Sequence, residues 1–120
     1  MRELTSHKVN GLNEVLKIDV LDEPGPGGAC HCYGVTPTVG NAKGVRIDFQ
    51  KGPLKEAPPN GLSNEALLAI VEDRLLGFQS GEFACRENAI ALTKLQESMM
   101  WLQKRTRDRV ARGVEGTNQK

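Results

Sequence analysis

Five cations crowd one short stretch of this chain: Lys104, Arg105, Arg107, Arg109 and Arg112, opposed only by Asp108. On a helix, Arg105, Arg109 and Arg112 stand at i, i+4 and i+7 and share a face. The planar guanidinium fork meets phosphate oxygens two at a time, so three of them stacked a turn apart suit a diphosphate. The same spacing has a second meaning, because cations near a helix C-terminus offset the macrodipole and are often simply solvated. Spacing alone leaves both readings open.

Asn88 lies seven, fourteen and twenty-one residues before Leu95, Leu102 and Arg109, which puts an amide on the stripe that faces inward. Such an amide can bond a base edge or a ribose, or it can fix helix register across an interface. Arg86, near the start of the same segment, is a further anion contact or a surface charge. Phe78 and Phe83 flank a turn, and each is either a stacking face for a base or core packing. Trp101 reads as core or interface.

Other motifs carry less. Cys30, His31 and Cys32 fall on successive positions of an extended segment and point to alternating faces, so they do not converge on one metal ion. Gly25-Pro26-Gly27-Gly28 lacks the register and following helix of a phosphate-binding glycine loop. His7 and His31 have no recognisable nucleophile to serve, and Ser63 and Ser98 have no elbow context. The residues supply groups for holding an anion and few for transforming one, which points to a binder without metal or cofactor rather than an enzyme.

Two kinds of element must position these groups. From His7 to Gln50 the segments are short and broken by Gly and Pro. Val15–Val20 alternates apolar and polar residues as a half-buried strand does, and Ala29–Val35 and Gly44–Phe49 are the next strand candidates. Three to four antiparallel strands cannot bury their apolar face alone. Lys51 to Asn60, with three prolines, is a connector. Beyond it Leu67, Leu68, Val71, Leu75 and Leu76 follow at helical spacing, with Ser63 or Asn64 as N-cap, to about Phe78. Gln79-Ser80-Gly81 is a tight turn. A second helix then runs from about Phe83 to Arg112, stopped by Gly113.

The expected fold is therefore α+β: a small N-terminal antiparallel sheet, then an antiparallel helical hairpin with a long second helix. At 120 residues the chain is read as one domain, 1–60 strand-rich with its connector and 61–120 the hairpin. A thirty-residue helix is about 45 Å long, against a radius of gyration of about 14 Å for a compact domain of this size. A helix that overhangs its domain, with Leu92, Leu95, Met99 and Leu102 on one stripe, calls for a partner surface, and a second copy is the simplest one.

A net charge of +1 gives no global field toward nucleic acid or a membrane, so an anion site has to come from local clustering. No apolar run reaches the length of a transmembrane helix. Met1-Arg2-Glu3-Leu4 lacks the apolar core of a signal peptide, and three cysteines fit reduced thiols in a cytoplasm.

The tract GLSNEALLAIVEDRLLGFQSGEFACRENAIALTKLQESMMWLQKRTRDRVARGVEGT, Gly61 to Thr117, resembles the helical hairpin shared by the phage Thoeris anti-defence protein one family and the anti-CBASS protein two family. Its specific parts are RENAIALTKL and the ending WLQKRTRDRVARGVEGT. The N-terminal portion, with VLDEPGPGGACHCY, is similar to the Thoeris family, whose members carry a sheet ahead of the hairpin. The resemblance implies a sponge acting in the host cytoplasm: a homodimer, associating further into hexamers, that holds glyco-cyclic ADP-ribose intact and out of reach of its effector. Some members also bind CBASS cyclic trinucleotides at a separate site. Carried over by motif, Phe78 stacks on the adenine, Asn88 contacts the ligand, Arg105 and Arg109 hold the phosphates, and Arg86 belongs to the trinucleotide pocket. Cys32 departs from the polar or basic residue expected there. Competing readings are a nucleotide-degrading enzyme, a nucleic-acid-binding module that uses the arginine face, and a phage assembly protein.

Overall fold

A computed structural model describes residues 1–120. The chain divides into two compact units, one of residues 1–52 with 57–62 and the other of residues 53–56 with 63–120. No helix is long and apolar enough to cross a membrane.

The first unit is a four-stranded antiparallel meander of β1 (Arg2–Leu4), β2 (Leu16–Val20), β3 (Cys32–Pro37) and β4 (Val45–Asp48), with a one-turn helix α1 (Gly11–Glu14) between β1 and β2. Strand alternation sorts the two faces. Ile18 sits opposite Leu4 on one side and Val35 on the other, and Val20 opposite Tyr33, which in turn faces Ile47. This is the apolar face, and Val20 is its one fully buried side chain. The other face carries Lys17 paired with Asp19 at 3.3 Å, and Arg46 paired with Asp48 at 3.1 Å.

The strands expected over Val15–Val20 and Gly44–Phe49 are present within a residue of those bounds. The middle one begins at Cys32 rather than Ala29. Its first amides are taken by a carboxylate: Asp22 accepts the N–H of His31 at 3.0 Å and that of Cys32 at 3.2 Å, after a tight turn over Pro26–Gly28. β1 lay outside the expected strands, because three residues carry no period to read. After β4, the Leu62 N–H donates to the Asp48 carbonyl at 2.8 Å. Gly61 makes that approach possible, since a Cβ there would stand 2.6 Å from the Phe49 oxygen.

The second unit is the hairpin of α2 (Asn64–Gln79) and α3 (Arg86–Ala111). Ser63 caps α2, its Oγ accepting the Ala66 N–H at 3.0 Å. α3 starts three residues later than the expected Phe83. Cys85 is extended and takes the cap position, and Gly81 to Ala84 close a turn instead. Gly113, at φ +73, reverses the chain after α3.

Candidate functional site

The hairpin sets the placement of every candidate side chain. On α3 the half-buried positions are Asn88, Leu92, Leu95, Met99, Leu102 and Thr106, an alternating three-and-four spacing that ends on the buried Arg109. Asn88 is thus on the inward stripe, as the heptad spacing predicts. Its own main-chain N–H is held by the Cys85 thiol. Phe78, near the end of α2, is partly exposed with the Arg74 guanidinium 5.5 Å from its ring centroid, within cation–π range. Arg86 is exposed at the first position of α3.

The candidates fall into two groups along the hairpin. Phe78, Arg86 and Asn88 gather at the turn, whereas Arg105, Arg109 and Arg112 stand at the far end of α3. Seventeen residues separate Asn88 from Arg105, a rise of about 26 Å. Within one chain the two groups do not form a single pocket.

At the far end lies an open groove of about 660 Å³, lined by Trp101, Lys104, Arg105, Asp108, Arg109, Ala111, Arg112 and Lys120. Five cationic side chains and one acidic side chain line it. Arg105 makes no ion pair and has its full fork available. Lys104 is tied to Asp108 at 2.6 Å, and that hydrogen bond, the largest influence, holds the Asp108 carboxyl below its ordinary value. Trp101 is 60% exposed and offers its indole to the groove rather than to a core. The sequence contains the signal for this: Trp101, Arg105, Asp108 and Arg112 fall at i, i+4, i+7 and i+11.

Arg109 behaves unlike its neighbours. It is 4% exposed, the only buried charged residue in the chain. Its guanidinium donates to the main-chain oxygens of Val114 at 2.9 Å, Thr117 at 3.1 Å and Gln119. Its Nε lies 3.4 Å from a Glu115 carboxylate oxygen, an ion pair without hydrogen-bond alignment. Beside it, Arg112 donates to the Lys120 main-chain oxygen. Residues 114–120 are therefore folded back onto the helix end around the Arg109 and Arg112 guanidiniums. The sequence puts Arg109 both on the phosphate face and on the inward stripe, and the inward stripe prevails.

In the sheet unit Cys30 and Cys32 are buried free thiols. Burial, and then the Asp48 carboxylate opposite it, push the Cys32 thiol above its usual range, so it stays protonated at neutral pH. His7 Nε2 bonds the Leu16 carbonyl at 2.6 Å.

Comparison with known proteins bears on the same hairpin. The family described as Acb2/Tad1, hairpin domain, matches residues 41–107, more than half of the chain. Over 74 residues the chain is 57% identical to Thoeris anti-defense 1 of Bacillus phage SBSphiJ7, an alignment covering 62% of this chain and 52% of that protein. The chain spans about half the length of that relative.

Proposed function

Since this chain belongs to the Acb2/Tad1 hairpin-domain family, we propose that it is a phage anti-defence protein that binds glyco-cyclic ADP-ribose signals and sequesters them without degrading them. The observation that carries this reading is the groove at the end of α3, where the unpaired Arg105 fork, Arg112 and the exposed Trp101 indole converge. That set holds a diphosphate and an aromatic ring. It offers no nucleophile and base in contact, so holding rather than turnover is the chemistry that it favours.

The site is completed by a second copy of the chain. The Phe78 and Asn88 group of one protomer meets the Arg105 group of its partner, which brings together what about 26 Å of helix keeps apart in a single chain. Packing supports this: no apolar residue of α2 or α3 is fully buried, while Ile70, Leu76, Met100 and Trp101 stay largely exposed. Covering such side chains is worth about 25 cal/mol per Å² of apolar surface. Enclosure between two chains also slows dissociation, where most affinity differences lie. Arg86, exposed at the first position of α3, is assigned to a second pocket for cyclic trinucleotides, and hexamers arise by further association of the dimers. The place of action is the host cytoplasm, where the signal is made.

Calorimetric titration of glyco-cyclic ADP-ribose, followed by heating the complex and chromatography of the released nucleotide, tests the reading. Tight binding with intact nucleotide recovered is the expected result. An altered nucleotide would make the protein an enzyme, and no heat of binding would leave the hairpin as an assembly device.

A further inference from the structure

The proposal above gives the arginine end of α3 to the ligand phosphates; resting on that reading, we infer that Lys120 is a ligand-contacting cation and that Arg109 is a positioning residue acting through it. Three of the five N–H donors of Arg109 are hydrogen-bonded to main-chain oxygens of residues 114–119. A guanidinium that is 4% exposed and bonded in this way cannot present its fork to a phosphate without giving those bonds up.

What Arg109 does instead is fold the segment. Gly113 and Gly116, at φ +73 and +80, turn the chain back toward the helix. The Gly116 carbonyl is held by the Lys55 N–H at 3.1 Å. Arg112 holds the main-chain oxygen of Lys120, and Lys120 lines the groove with Arg105 and Trp101. The Lys120 side chain forms no ion pair with an acidic side chain, and a flexible ammonium suits a phosphate diester or diphosphate oxygen. The groove thus receives a cation from outside the helix, placed there by a buried one inside it.

A double-mutant cycle separates positioning from direct contact. Trp101 is the only tryptophan, so its fluorescence reports occupancy of the groove. ADP is the probe, and glyco-cyclic ADP-ribose is titrated in parallel by calorimetry. Lys120→Ala is expected to weaken both ligands by roughly fivefold with an unchanged melting temperature. Arg109→Lys is expected to weaken them at least as much, and the double variant no further, because Lys120 is already misplaced. Losses that multiply in the double variant would make Arg109 a direct contact and overturn the inference. So would wild-type affinity in Lys120→Ala, which needs no refolding of the segment to interpret. If the cyclic nucleotide fails to bind while ADP shows the expected cycle, the sequestration reading falls and this one stands. A flat titration with both ligands overturns both.

Discussion

The main-chain N–H of Asn88 donates to the Cys85 thiol at 3.4 Å, so sulfur occupies a cap position that oxygen side chains fill far better. Cys85→Ser should therefore keep or raise stability, and Cys85→Ala should lower it by about 0.5–1 kcal/mol. Urea unfolding midpoints check both. Equal midpoints for Ala and the parent would show that the cap contributes nothing to α3.

Asp22 makes the sheet unit acid-sensitive. The His31 N–H, the largest influence, and that of Cys32 hold its carboxyl below its ordinary value. A depressed native pKa means stability that is fully present above the unfolded value, about 3.9, and lost as pH falls through the native one. Asp22→Asn should remove that part of the acid loss, so its stability curve below pH 4 is flatter than the parent's. An unchanged curve would assign the acid sensitivity to other carboxylates.

Asp108 is the one acidic side chain lining the groove, and its depressed pKa keeps it ionised throughout the neutral range. Asp108→Asn removes a repulsive neighbour and releases Lys104. Anion affinity should tighten by roughly fivefold, on the order of 1 kcal/mol for a charge at close range in water. Weaker binding in that variant would mean that Lys104 needs Asp108 to hold it in place.

The two-chain site predicts complementation. Phe78→Ala and Arg105→Ala proteins should each bind the cyclic nucleotide poorly. Mixed, unfolded and refolded together, random pairing leaves half of the dimers hybrid, each with one intact site, so about a quarter of the original capacity returns. No recovery in the mixture would place Phe78 and Arg105 in sites of their own.

The sequence makes the hairpin plain. The leucine spacing, the Ser63 cap and Gly113 are local signals, and they give the elements to within a few residues. The Asn88–Leu95–Leu102–Arg109 stripe even carries the burial of Arg109. What it lacks is a reason to prefer that stripe over the arginine face. The reason lies in the fold-back of residues 114–120, which depends on carbonyls that no side-chain pattern encodes. β1 was hidden for a related reason: its pairing with Val20, Asp19 and Ile18 is set across the sheet and not by its three residues. Trp101 stands in register with Arg105 and Arg112, but exposure of a tryptophan is decided by what covers it.

Residues 53–56 belong with the hairpin although residues 57–62 return to the sheet. Lys55 holds Gly116, and Asn118 donates to the Glu56 carboxylate at 3.4 Å. A recombination junction at Leu62–Ser63, the obvious seam between strands and helices, would transfer α2 and α3 without the residues that steady their C-terminal segment. A chimera joined ahead of Pro53 should therefore inherit a finished arginine end, whereas one joined at Ser63 should inherit a frayed one.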